Sequence, residues 1–200
     1  VNDHATVIDD LETVLRTVGD LVATVPAHRW EAPTPCPDWN ARELVEHLVL
    51  GHQLFAGILR GTAVVTPDAL DPARRDVLGD DPTGTYRAAT DDLLAAFRQP
   101  GALDQVVEVP FGVVPGIVAV HLRAVEELVH GWDLATAGGR TVRFPDDVVE
   151  RALGFTRAAL ADVPPDRSPF APAQPVSARA PALDRLVALV GRSPDSVTAS

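Results

Sequence analysis

Twenty residues, Val118 to Ala137 (VAVHLRAVEELVHGWDLATA), form a strongly helical run that carries ionisable side chains among its apolar ones. Any fold for this chain must bury that helix and also accommodate its charges. Glu126 and His130 stand four residues apart. On a helix they lie one above the other on one face and can aim a carboxylate oxygen and an imidazole nitrogen at a common point. Glu127, three residues before His130, has an equal claim on spacing alone. A third ligand, supplied from elsewhere in the chain, would make a metal site.

The 200 residues are 46% hydrophobic, enough for a sizeable core. The whole chain, 1–200, reads as one helical-bundle domain with a core over about 3–162 and a C-terminal arm over about 163–200. No apolar run approaches the roughly 18 to 20 residues that cross a bilayer, and the first residues, VNDHATVIDD, lack the basic and apolar regions of a secretory signal. A soluble, cytoplasmic protein with no membrane partner is expected. One cysteine, Cys36, permits no internal disulfide, which fits a reducing compartment. The net charge of −11, with basic residues scattered singly and all of them arginine, argues against nucleic acid as a partner.

Along the chain, Val7, Leu11, Val14, Leu15, Val18, Leu21, Val22 and Val25 have the spacing of one buried stripe, predicting a helix over 3–25 that Pro26 stops. The proline-rich PTPCP then predicts an extended connection. Asn40 with Glu43 has the form of a capping box opening a second helix to about Arg60. His47 lies beside the apolar stripe of that helix and should face inward, while His52 lies well round the helix and is a poor partner for it at one metal. Residues 62–79 read as a long polar loop, and Asp81-Pro82 as the start of a third helix to Phe97 that buries Tyr86, Ala89, Leu93, Leu94 and Phe97. Gln105 to Val109 suits a short strand or extended arm, and PFGVVPG a loop. Gly138-Gly139 should end the helix containing Glu126 and His130. A fifth helix is predicted from Asp146 to Ala161, with Phe155, Ala159 and Leu160 on its apolar face. Six prolines from Pro164 to Pro181 predict irregular chain anchored by Phe170 and Val176, before a short final helix from Ala182 to Val190.

His47, Glu126 and His130 together offer two nitrogens and one oxygen. That donor set suits zinc first, and also nickel or iron(II), and three protein ligands leave positions for water or substrate. Beside the triad, Cys36 is either a ligand, a nucleophile or a small buried hydrophobe. Trp39 and Trp132 read as core or site walls, and Asp133, three residues after His130, is placed either to hydrogen-bond the His130 ring or equally to cap the helix or form an ion pair. Arg60, Arg123 and Arg192 are each able to bind a carboxylate substrate, and the sequence does not choose among them. There is no phosphate-cradling glycine loop, nucleophile elbow or cysteine pair.

The combination of TPCPDWNARELVEHL, ELVHGWDLATA and LDRLVALVGRSP resembles the superfamily of DinB-like proteins and mycothiol-dependent maleylpyruvate isomerases, in particular an actinobacterial metal-binding branch. The resemblance implies an all-α fold: an up-and-down four-helix bundle with extra short helices and a proline-rich C-terminal arm. It implies a divalent metal on His47, Glu126 and His130, which selects Glu126 over Glu127. Arg192 of the GRSP segment, with Cys36, Trp39, Trp132 and Asp133, would then border the site. It further implies a metal-dependent transferase or isomerase that uses mycothiol or a similar thiol against a small electrophilic substrate, as a monomer or homodimer. The competing expectation is a non-catalytic metal-binding bundle with a stress-linked, sensing or partner-binding role.

Overall fold

The computed structural model describes residues 4–74 and 76–194. The expected helix start at Asp3 and the last residues of the arm, 195–200, lie outside them. Four helices make the bundle: α1 (His4–Ala23), α2 (Ala41–Leu59), α3 (Pro82–Phe97) and α4 (Gly116–Ala137). Each sits where the punctuation in the sequence predicts. Asn40 forms a complete capping box, its side chain accepting from the Glu43 N–H while the Glu43 carboxylate accepts from the Asn40 N–H. Such a cap is worth about 1 kcal/mol. Asp81 caps α3 through the Gly84 N–H, with Pro82 in the first turn.

Helices α1 and α2 each pack against both α3 and α4. Side-chain pairs fix the directions. Glu12, Arg16 and Asp20 of α1 meet Arg98, Asp91 and Arg87, so α1 and α3 run oppositely. His47 and His52 of α2 meet Glu126 and Glu127, and Gly51 lies against Arg123, so α2 and α4 also run oppositely. By contrast, Arg42 reaches Asp76 and Gly79 just before α3, His52 packs on Tyr86, and Arg60 pairs with Asp92. Helices α2 and α3 therefore run the same way, and residues 60–81 return along the length of the bundle.

The region between α3 and α4 holds more order than a loop. The expected strand forms as β1 (Val106–Val109), and the second half of PFGVVPG pairs with it as β2 (Gly112–Pro115), antiparallel with Val107 opposite Val114. Val113 and Val114 supply the β-branched residues that favour pairing, and Gly112 supplies the positive φ, 121°, that the tight turn requires. Helix α5 (Asp146–Leu160) packs on α4 and on α6 (Ala182–Leu189). Of its predicted apolar face, Phe155 and Leu160 are only half-buried and Ala159 is exposed. No described helix is long and apolar enough to cross a membrane.

The apolar interior falls into two clusters along the bundle. One is built from residues such as Val18, Leu44, Leu48 and Leu128, the other from residues such as Leu11, Phe55, Leu93 and Val120. On α2 and α4 the members of the two clusters are separated by the level of His52, Arg123 and Glu127.

Candidate metal centre and adjoining cleft

His47 enters from α2 and Glu126 and His130 from α4, and their ligand atoms lie within 4.8 Å of one another. Both imidazoles present Nε2 to the same carboxylate oxygen, Glu126 Oε2, at 3.2 Å from His47 and 3.6 Å from His130. The opposite ring nitrogens are engaged elsewhere. His47 Nδ1 donates to the Leu70 carbonyl at 3.1 Å, and His130 Nδ1 donates to Asp133 Oδ2 at 3.0 Å. Those partners only accept, so in the neutral rings the proton belongs on Nδ1 and the lone pair on Nε2. Two nitrogen lone pairs and a carboxylate oxygen then face one small volume, an arrangement that repels itself unless a cation or a proton lies between. The donor set therefore fits a divalent metal.

In the metal-free protein, protonation takes that part. Burial works against charging His130, but its hydrogen bonds to Asp133 and Glu126 and their charges prevail and push its pKa up to about 9. Burial likewise opposes ionisation of Glu126, and the hydrogen bonds and charges of His130 and His47 outweigh it, holding the carboxyl well below its ordinary range.

The surroundings lock these three side chains in place. The Trp39 ring stacks on His47 with centroids 4.1 Å apart and planes 25° from parallel. Asp133, fully buried, is gripped by Arg192 through Nη2 at 2.9 Å and Nε at 3.3 Å, so His130, Asp133 and Arg192 form a chain reaching from the site to the segment after α6. Cys36 is also buried, and its sulfur with His130 and Asp133 makes a second set of donor atoms within 4.8 Å. The Arg192 guanidinium opposes a cation there, and burial pushes the Cys36 thiol up, which keeps it protonated. Trp132 packs in the apolar core.

Glu127, the rival of Glu126 on spacing, points into the bundle. Its Oε1 accepts from Arg123 Nη2 at 2.7 Å and His52 Nε2 at 2.8 Å, and its Oε2 from the Tyr86 hydroxyl at 2.6 Å. All four side chains are at most 1% exposed. Burial lowers the His52 pKa, so His52 serves as a neutral donor and Arg123 supplies the balancing charge. Space for that guanidinium comes from Gly51, where a Cβ would lie 2.5 Å from Arg123 Nη1. His52 is thus a partner of Glu127 rather than of a metal. Nothing in the helical spacing distinguished Tyr86 from an ordinary core aromatic.

On the other side of Glu126 a cleft of about 570 Å³ opens. Phe111 at the hairpin turn, Leu122 and Glu126 of α4, Phe155 of α5, and Arg167 and Phe170 of the arm contribute to its walls. The half-buried residues of α5 face this space. Of the three arginines considered as anion binders, Arg60 pairs with Asp92, Arg123 with Glu127 and Arg192 with Asp133. The arginine that reaches the cleft is Arg167, which no sequence pattern singled out.

The sequence model for the mycothiol maleylpyruvate isomerase N-terminal domain matches residues 11–135. Uncharacterised proteins of Mycobacterium tuberculosis strains CDC 1551 / Oshkosh and ATCC 25618 / H37Rv are each 32% identical to the chain over 176 residues, covering 86% of it and 90% of the relative. Among solved structures, the crystal structure of the mycothiol-dependent maleylpyruvate isomerase superposes with a TM-score of 0.60 at 17% identity, over 76% of this chain and 68% of that one. A histidine-to-alanine mutant of that isomerase gives the same TM-score at 16% identity. At such identity the likeness is one of fold.

Proposed function

Because the chain belongs to the mycothiol maleylpyruvate isomerase N-terminal domain family, we propose that it is a metal-dependent isomerase or transferase that uses mycothiol or a similar thiol against a small electrophile. The observation that carries this reading is the convergence of His47 Nε2, His130 Nε2 and Glu126 Oε2, with both Nδ1 atoms already engaged. These three residues would hold a divalent cation, zinc before nickel or iron(II). When bound, it would supply the positive charge that keeps a thiol ionised at neutral pH. The protein's own groups do the remaining work. Asp133, fixed by Arg192, orients His130, and the Leu70 carbonyl with the Trp39 ring orients His47. The apolar cleft beside Glu126 keeps water from an electrophile. The reaction is addition of the thiol across an electrophilic double bond: the carbon–sulfur bond forms as the carbon–carbon π bond breaks, and the thiol proton ends on the substrate. Then either rotation and elimination return the double bond isomerised with the thiol released, or the adduct is kept. A reducing cytoplasm suits both this co-substrate and the free thiol of Cys36.

The test is elemental analysis of the purified protein, then absorption spectroscopy of a cobalt-substituted sample titrated with thiol. One metal per chain and a thiolate-to-cobalt charge-transfer band are expected, with His47→Ala and His130→Ala each losing the metal. A metal-loaded protein that gives no response to thiol would sink the enzymatic reading. Unchanged metal content in both alanine variants would remove these residues as ligands.

A further inference from the structure

The cleft beside Glu126 has a chemical character that goes beyond thiol chemistry. Among the described residues, everything that lines it is apolar except Glu126, Thr156 and Arg167. Thr156 is buried and its hydroxyl donates within α5, to the Ala152 carbonyl at 2.8 Å, so its hydrogen is not offered to a ligand. Glu126 directs its Oε2 toward the His47 and His130 rings. Arg167, from the arm, is the one cation in the lining, and it enters no ion pair among the described residues. Phe111, Phe155 and Phe170, which come from three separate segments, offer aromatic faces to the same space. An occupant therefore meets extensive apolar wall and, in Arg167, a single cationic side chain.

We infer that this cleft binds a small molecule with an apolar, aromatic or aliphatic body and a single carboxylate, the carboxylate pairing with Arg167 and the body packing on the phenylalanine walls. Its identification as the electrophile rests on the proposed function; the binding preference does not. A guanidinium matches one carboxylate through two parallel N–H donors. A second carboxylate on the same molecule would have to lie against apolar wall, where an ion without a partner is strongly disfavoured. The cleft thus selects monocarboxylates and rejects dicarboxylates of similar size. About 570 Å³ accommodates a phenyl ring with a short chain.

Isothermal titration calorimetry on the full chain with metal removed by chelation and no thiol present tests this. The probes are 4-phenylbutyrate, its dicarboxylate relative 2-benzylsuccinate, and the uncharged 4-phenylbutanamide. The expected order is 4-phenylbutyrate at least about tenfold tighter than 2-benzylsuccinate. Arg167→Leu should weaken 4-phenylbutyrate by about tenfold and leave 4-phenylbutanamide unchanged, with Arg167→Lys recovering part of the loss. Since Arg167 is exposed, neither substitution threatens the fold. The inference is overturned if 2-benzylsuccinate binds as tightly as 4-phenylbutyrate, if Arg167→Leu weakens amide and carboxylate alike, or if none of the probes binds. Because no thiol enters the measurement, a failed cobalt titration leaves this affinity order standing, and a reversed order leaves the thiol chemistry intact.

Discussion

Replacing Glu127 by leucine should unfold this protein more readily than any single change at the proposed metal ligands. Glu127 is fully buried and is the common acceptor for Arg123, His52 and Tyr86. Its loss leaves the Arg123 guanidinium, 1% exposed, with no carboxylate in contact, and leaves two further donors without their acceptor. Removing one partner of a buried ion pair costs about 3–5 kcal/mol, a large share of the roughly 5–15 kcal/mol that holds a domain folded. For a chain of this size that corresponds to a fall in Tm of about 6–20 °C. Urea unfolding followed by far-ultraviolet circular dichroism measures it, and the midpoint should fall with the slope unchanged. A double variant, Arg123→Leu with Glu127→Leu, should recover most of the loss, because most of the cost lies in the stranded charge. The folded fraction of Glu127→Leu should keep its metal, separating Glu127 from Glu126. A single variant within about 0.5 kcal/mol of the parent, or a double variant less stable than the sum of the two singles, would refute the reasoning.

Three further outcomes follow from the same structure. Asp133→Ala should lower metal affinity about 10- to 100-fold without removing a ligand, since it frees the His130 ring; competition with a chromogenic chelator measures this. Glu46 is nearly buried, and desolvation, reinforced by Asp76 against the pull of Arg42, pushes its carboxyl from 4.5 to about 7. The folded state thus holds a proton that the unfolded chain releases, so this contribution to stability is complete below about pH 4.5 and is lost as pH rises through about 7. The loss is at most about 3 kcal/mol, and Glu46→Gln should flatten that part of the stability profile of the metal-free protein. Gly51→Ala should destabilise by about 1–3 kcal/mol, because its Cβ would meet Arg123 Nη1 at 2.5 Å; the effect should shrink in an Arg123→Leu background.

Much of the bundle is legible in the sequence because its signals are local. Stripe spacing in α1, the Asn40 capping box and the Asp81-Pro82 start each act within a few residues, and α2 and α3 begin where their signals lie. The site is legible in part for the same reason. Glu126 and His130 share a helix face by spacing, but choosing Glu126 over Glu127 required the family resemblance. What separates them physically is where each carboxylate points, and that is set by Tyr86, 41 residues away, and by His52, 75 residues away. The position of Arg167 is not legible for a related reason: it sits in proline-rich chain with no periodicity, and only the packing of α5 and the arm against α4 brings it to the cleft. Pro110, Gly112 and Pro115 act locally as breakers and give half of the hairpin the signature of a loop, whereas pairing of Val107 with Val114 is the stronger constraint.

The carbonyl that fixes the His47 ring belongs to the backbone of Leu70, within the long return between α2 and α3. A main-chain oxygen is supplied by every amino acid, so the identity of residue 70 is invisible to the imidazole it holds, while the path of the chain is not. Mutational tolerance in this return should therefore split by type of change. Substitutions at position 70 leave the imidazole anchored, whereas inserting or deleting a residue nearby moves the oxygen away and releases the ring. A substitution scan of position 70 would pronounce it dispensable, and a deletion there would show it tied to the centre of the molecule.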